Sequence, residues 1–208
     1  NNITAGTYEC KVIYKKFIKP TPTKTIPWSY VINEIKQDST TVGNWHKRYG
    51  REGFVLFNYN KNNENIQQLP SYATSISSNK SANIHIDVKN PGENILMDPS
   101  SKTRHLGALV TQDPQPTLQT MTVDLKIEGN EKHQLALYFL DWDSDIRRST
   151  VEIYDLKTLK LLAPVQLLKN YRKGKYLIFD YQGSLRIRIN HVRGENAALS
   201  GIFFDSSK

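Results

Sequence analysis

The sequence predicts a mostly β protein, an antiparallel β-sandwich or jelly roll with room for one short helix. Three observations point there: β-rich runs recur through the second half, apolar and polar residues alternate within several of them, and short polar or glycine-containing turns separate them. A chain of 208 residues, 38% of them hydrophobic, can bury one sizeable core, and no low-complexity tract or fixed-period repeat divides it.

From the N-terminus, residues 7–18 (TYECKVIYKKFI) alternate as a strand would. The proline-rich KPTPTKTIPW that follows reads as an extended connector, because proline fixes φ and removes a donor. In SYVINEIKQ the spacing of Val31, Ile32 and Ile35 fits a short helix and a strand equally well. Residues 1–37 are therefore set apart as an N-terminal strand and connector, or the tail of a preceding domain, and residues 38–208 as the sandwich.

Gly43, Gly50 and Gly53 punctuate GNWHKRYGREG, a loop feeding the apolar run Phe54-Val55-Leu56-Phe57. The Asn- and Gln-rich stretch from Asn58 to Pro70 reads as a surface loop. ANIHIDV has a half-buried strand pattern, with Ile84, Ile86 and Val88 on one face and His85 and Asp87 on the other. From Asn90 to Pro116 four prolines and few periodic apolar residues predict mostly loop. Alternation returns in TMTVDLKIEG through Met121, Val123, Leu125 and Ile127.

Five runs complete the sandwich: HQLALYFLDW, STVEIYDL, KYLIFDY, SLRIRINHV and ALSGIFF. HQLALYFL is apolar on both faces, as a central strand covered on both sides would be. LRIRINHV turns Leu185, Ile187 and Ile189 inward and Arg186, Arg188 and Asn190 outward, towards solvent or ligand.

Composition narrows the chemistry. Cys10 is the only cysteine, which excludes an intrachain disulfide and a multi-thiolate metal site. Lys and Arg number 28 against 20 Asp and Glu, a net charge of +8 that favours anionic partners; solubility is the plainer reading. The basic residues are dispersed, so a nucleic-acid partner is not expected. No apolar run approaches the roughly 18 residues of a bilayer span, so membrane insertion is not expected. Asn1-Asn2-Ile3-Thr4 lacks a signal-peptide pattern, and any signal is expected to lie outside these residues or to have been removed.

Asp141, Asp143, Asp145, Ser149 and Glu152 fall at positions 1, 3, 5, 9 and 12 of a calcium loop, which makes calcium the one cofactor candidate. Ile146 occupies the position that needs glycine, and the flanks read as strands. A hairpin loop whose carboxylates pair with Arg147 and Arg148 is the preferred reading. Asp141 and Asp143, two apart on a strand, would project roughly 7 Å from each other, a permissive but nonspecific arrangement for glycosidase acid–base work. Histidines 46, 85, 105, 133 and 191 show no metal-ligand spacing, so no metal site is expected; no nucleophile motif or phosphate-binding glycine loop occurs.

Trp45, Tyr49, Tyr72 and Trp142 lie in or beside predicted loops, where flat rings can stack on sugar faces while Arg and Asp bond hydroxyls. For Trp45 and Trp142 packing in the core is the stronger expectation. Tyr49, Arg104, His105 and Arg147 are the candidates for an exposed polar rim, with Asp143 beside them.

The segments GNWHKRYGREGFVLFN, LPSYAT, DPSSKTRHLGAL, HQLALYFLDWD, KYLIFDYQGSLRIRI and NAALSGIFFD together resemble a recurrent bacterial β-sandwich module, over roughly residues 38–205. Such modules are similar to galactose-binding-like jelly rolls and accompany secreted glycoside hydrolases. The resemblance implies a non-catalytic carbohydrate-binding role in a secreted, periplasmic or cell-surface protein, as a monomer, with a glycan partner that the net charge would make acidic. A structural or adhesive domain orienting a neighbouring enzyme is the alternative, and a glycoside hydrolase or lyase using Asp141 or Asp143 a further one. TRHLGAL departs from the module's pattern by two inserted residues and Asn58 to Gln68 is lengthened, so ligand specificity does not carry over.

Overall fold

The computed structural model describes residues 31–79, 81–111 and 119–207. The strand predicted over residues 7–18, the proline-rich connector and Cys10 lie outside them. Among the described residues fourteen strands follow one another: β1 (Lys36–Asp38), β2 (Gly53–Leu56), β3 (Ile66–Gln68), β4 (Ala73–Asn79), β5 (Ser81–Ile86), β6 (Leu106–Thr111) and β7 (Thr120–Ile127). The second half holds β8 (Lys132–Phe139), β9 (Arg148–Asp155), β10 (Gln166–Leu168), β11 (Lys175–Gln182), β12 (Leu185–Arg193), β13 (Ala198–Leu199) and β14 (Gly201–Ser206). The strands pair antiparallel as a six-stranded sheet ordered β1-β11-β8-β14-β2-β3, a five-stranded sheet ordered β10-β9-β12-β7-β4, and a small sheet ordered β13-β6-β5. This is the predicted β-sandwich. Among the described residues the helical content is one 3-10 turn, Trp45–Lys47.

The period of two decides what each strand buries. From the five-stranded sheet Met121, Val123, Leu125, Val151, Ile153, Leu185, Ile187 and Ile189 point inward. They meet Leu135, Leu137, Phe139, Leu177, Phe179, Tyr181, Ile202 and Phe204 of the six-stranded sheet in the main core. The expected two-faced burial of β8 is present: Leu135, Leu137 and Phe139 enter this core, while Ala136 and Tyr138 enter a second one on the opposite side.

That second core differs in construction. Tyr138, Tyr176, Ile178, Phe54, Leu56 and Phe203 line the outer face of the six-stranded sheet, and loops carrying Trp45, Tyr49, Tyr59, Ile95 and Leu96 cover it. The Trp45 indole N–H donates to the Met97 carbonyl at 2.7 Å, joining the two covering loops. Gly50 sits at φ +77, and a Cβ there would stand 2.8 Å from the Trp45 ring, so both backbone and packing require glycine.

Two sequence expectations need correction, and a third gains a strand. The stretch 90–116, expected to be mostly loop, is so over residues 90–105 and then forms β6, which is buried along its whole length. Covered on both faces, LGALVT has no alternation to betray it. Gly107 within it lies against the Phe57 and Asn58 carbonyls, 2.2 and 2.6 Å from where a Cβ would be. Within the predicted surface loop 58–70, β3 pairs with β2, and Asn58 and Tyr59 are buried. On β5, Ile86 is exposed, whereas the His85 side chain is largely covered and bonds the Asn58 carbonyl.

The segment that fitted helix and strand equally ends in β1, whose Lys36–Asp38 pairs with β11 across the residue 37 boundary. Ile32 is in the main core and its N–H donates to the Leu162 carbonyl at 2.8 Å.

Candidate functional site

Among the described residues the outer face of the five-stranded sheet carries no covering loops, and its register assembles three cross-strand rows. The first is Leu167, Thr150, Asn190 and Thr120; the second is Glu152, Arg188, Thr122 and Asn79; the third is Tyr154, Arg186, Asp124 and Ser77. Each row exists because β9, β12, β7 and β4 alternate in phase, so every inward Val, Ile or Leu forces a polar neighbour outward.

Hydrogen bonds knit these rows into a fixed surface. Thr120 Oγ1 donates to Asn190 Oδ1 at 2.9 Å, and Asn190 Nδ2 donates to Thr150 Oγ1 at 3.0 Å and Glu152 Oε1 at 3.1 Å. The Tyr154 hydroxyl donates to Glu152 Oε2 at 2.6 Å, and this bond, with partial burial, raises its pKa. Arg186 grips Asp124 with both ends of its fork, Nε to Oδ1 and Nη2 to Oδ2, each at 2.7 Å. Arg188 lies 3.6 Å from Glu152. Two arginines against two carboxylates leave the patch close to neutral.

Between the rows runs a trough of about 520 Å³ lined by Asn79, Thr120, Thr122, Tyr154, Leu159, Arg186 and Arg188. It offers one aromatic ring, one exposed leucine and several hydroxyl, amide and guanidinium groups on a rigid strand scaffold. Such a surface can stack a flat apolar ligand face and bond hydroxyls at its edge. Tyr154 was not among the candidates from sequence, although the alternation of STVEIYDL already places it opposite Val151 and Ile153.

The sequence-derived candidates do not converge on this trough. Trp45 is buried in the second core, as the packing expectation had it. Tyr49, expected on an exposed rim, is instead buried there, because its hydroxyl closes a hydrogen-bond set on Asp38 at 2.8 Å. Tyr72 is half-buried, stacked on His133 with ring centroids 3.6 Å apart, its hydroxyl on Glu52 at 2.7 Å. Arg104 ties the covering loops together through the Glu93 and Ile95 carbonyls and Asn44 Oδ1.

Arg147, the other rim candidate, is also buried, only 1% exposed. Its guanidinium donates to Asp141 Oδ1 at 2.5 Å, to Asp143 and to Asn196, and its Cζ stands 4.4 Å from the Trp142 ring centroid. Trp142 is half-buried against the second core, and Asp143 is exposed. Asp141 takes four donors from its own loop: Ser144 N and Oγ, Arg147 N and Nη1. The aspartates lie beyond the end of β8 and organise a loop around a buried cation: the expected carboxylate pairing is present with Arg147, but β8 and β9 belong to different sheets, so the loop crosses between sheets and is not the expected hairpin. Arg148 instead bonds the Asp145 and Arg147 carbonyls. A calcium ion at Asp141 and Asp143 would have to replace Arg147.

A second concavity, about 630 Å³, is lined by Lys36, Lys47, Arg48 and Arg51 with Asp38 and Asp205 among them. Burial works against the Asp38 charge, but bonds from Thr41, Thr40 and Tyr49 outweigh it and hold the carboxyl well below the ordinary range. Burial raises the Asp205 carboxyl despite the backbone N–H groups of Arg51 and Gly50. This cleft has charge but no exposed ring. His105 lies elsewhere, beside His85 and Asp87.

No family model matches the chain, and no curated protein does. Among solved structures, the chain is similar to an exo-β-1,3-galactanase from Phanerochaete chrysosporium with galactose, at 16% identity and a TM-score of 0.32, covering 67% of this chain and 30% of that one. It is similar to TmCBM61 in complex with β-1,4-galactotriose, at 9% identity and a TM-score of 0.34, over 64% of this chain and 83% of that one. The enzymatically active domain of bacteriophage CBA120 tailspike protein 4 matches at 12% identity and a TM-score of 0.28, over 65% of this chain and 18% of its own.

Proposed function

We propose that this chain is a non-catalytic carbohydrate-binding domain that presents the outer face of its five-stranded sheet to a polysaccharide. The observation that carries the reading is the Tyr154 trough: a ring and a leucine flanked by hydroxyl, amide and guanidinium groups whose positions are fixed by cross-strand bonds. Pre-fixed groups lose little entropy when a sugar displaces their water, which is the condition for useful affinity on an open face. The paired charges at the trough, Arg186 with Asp124 and Arg188 with Glu152, favour a neutral glycan there over the acidic one that net charge suggests. A polysaccharide partner fits a secreted, periplasmic or cell-surface protein.

Affinity electrophoresis on a panel of neutral and acidic polysaccharides, followed by calorimetry, tests this. Selective retardation by a neutral glycan is expected, with Tyr154→Ala weakening it about tenfold, the size of one aromatic contact. Retardation untouched by Tyr154→Ala would remove the trough from the argument. A structural role has one observation in its favour: Leu161, Val165 and Leu167 are exposed along the β10 edge of the sheet, as a docking rim for a neighbouring domain would be. Absence of binding across the whole panel would select it.

A further inference from the structure

The register of β5 and β6 brings three metal-ligating side chains to one spot that the spacing of histidines in the sequence does not reveal. Ile86 pairs with Leu106 and His85 with Gly107, so the residues just beyond, Asp87 and His105, continue the ladder towards each other. His85 and Asp87, two apart, share a face. The ligand atoms of His85, Asp87 and His105 all lie within 4.8 Å of one another.

We propose that His85, Asp87 and His105 form a binding site for a divalent transition-metal ion, zinc in the first instance, with one coordination position open to solvent. His85 Nε2 is 3.2 Å and His105 Nδ1 is 3.5 Å from the same Asp87 oxygen, Oδ1. Bonds of about 2.0–2.2 Å in a tetrahedron put neighbouring ligand atoms roughly 3.3–3.5 Å apart, so these separations already suit a shared ion. The His85 ring is turned by the bond of its Nδ1 to the Asn58 carbonyl at 3.0 Å. With Nδ1 as the donor, Nε2 of the neutral ring presents a lone pair towards Asp87, the outer-shell arrangement of a metal-binding histidine. Without a cation, that lone pair would face a carboxylate oxygen.

The surroundings are consistent with exchange rather than a sealed structural ion. The side chain of His85 is 9% exposed, that of His105 32% and that of Asp87 57%, so the site has a covered base and an open mouth. Tyr59 supports the His105 side, its hydroxyl accepting the His105 backbone N–H at 3.2 Å and its ring meeting the imidazole edge-on. Lys61 is 3.8 Å from the other Asp87 oxygen, Oδ2, and leaves Oδ1 for the ion. Two imidazoles and one carboxylate suit zinc and its neighbours in the first transition row rather than calcium or magnesium, which take all-oxygen shells. Bound metal would clamp the end of β5 to the segment entering β6.

The test is titration of the full chain, stripped with a chelator, with Zn²⁺ by calorimetry and with Co²⁺ by visible absorption, beside a thermal melt with and without zinc. One equivalent of Zn²⁺, a raised melting temperature, proton release on binding and the visible bands of low-symmetry Co²⁺ are expected. His105→Ala and Asp87→Asn should each weaken zinc at least about tenfold, no less than outer-shell changes do in known sites. Both positions are partly open to solvent, so these variants keep the fold, which circular dichroism checks, and His46→Ala serves as an unrelated histidine control. Absence of saturable zinc binding, or binding unchanged in His105→Ala and Asp87→Asn, would overturn the assignment.

Discussion

The two sheets of the sandwich share one core but treat their outer faces in opposite ways. The six-stranded sheet presents Phe54, Tyr138, Tyr176, Ile178 and Phe203 outward and has to be roofed by loops, which bring Trp45, Tyr49, Tyr59 and Leu96 to close it. The five-stranded sheet presents Thr120, Thr122, Asp124, Glu152, Tyr154, Arg186 and Arg188 and stays open. Aromatic residues in loops therefore mark the covered face, and the open face carries, among the described residues, Tyr154 in a polar lattice. An aromatic residue signals a ligand only when nothing else needs its surface.

Trp45→Ala is the strongest way to test the division. Removing a ring that joins the two covering loops should cost roughly 3–5 kcal/mol of stability, seen as a large fall in the urea midpoint. Below its own transition the variant should bind glycan as the parent does. Loss of binding in the folded variant would move the ligand to the roofed face.

Asp38→Asn probes the same roof through acid. Asp38 accepts from Thr40 N and Oγ1 at 2.7 Å each, Thr41 N at 3.2 Å, Thr41 Oγ1 at 2.5 Å and Tyr49 Oη at 2.8 Å. Its folded pKa is depressed, so its contribution is present above the unfolded value of about 3.9 and is lost as pH falls through the folded value. Asn in its place should cost roughly 1–3 kcal/mol at neutral pH. The difference between the two proteins should shrink below about pH 4. Asp98 and Asp180 are also depressed, so the acid profile of the parent alone does not isolate Asp38; the difference between parent and variant does. A gap in urea midpoint that stays constant from pH 7 to about pH 2 would show that its charge is not what holds the turn.

Much of the fold is legible in the sequence because period two is visible wherever one face is buried and the other wet. β7, β9 and β12 are such strands, and their outward residues are the site. β6 and β4 are not legible: LGALVT is buried on both faces, and ATSISSN has too few apolar residues to show a face. The candidate site was half legible. Arg186 and Arg188 point outward as LRIRINHV requires and Trp45 packs in the core as expected, but Tyr49, expected on an exposed rim, is consumed by the second core as well. That core is hard to foresee because its residues come from loops joined only through tertiary contacts. The burial of Arg147 follows from Asp141, Asp143, Asn196 and Glu195 and the Trp142 face converging on it, of which Asn196 and Glu195 are distant in the sequence.

The smallest effect sharpens the open face. Arg186 and Asp124 form a two-pronged pair, but the arginine side chain is 35% exposed, so a double-mutant cycle with Arg186→Gln and Asp124→Asn should give a coupling of only about 0.2–1 kcal/mol in stability. The pair's purpose on this reading is position: it holds a guanidinium edge beside the Tyr154 ring without leaving net charge. Glycan binding should then change little when salt is raised from about 0.05 M to about 0.5 M, because screening weakens only attraction to a net charge. A steep fall with salt would mean that the ligand is anionic. The mixed-charge cleft where Lys36, Lys47, Arg48 and Arg51 stand with Glu34, Asp38 and Asp205 on the other sheet would then be the next place to seek it.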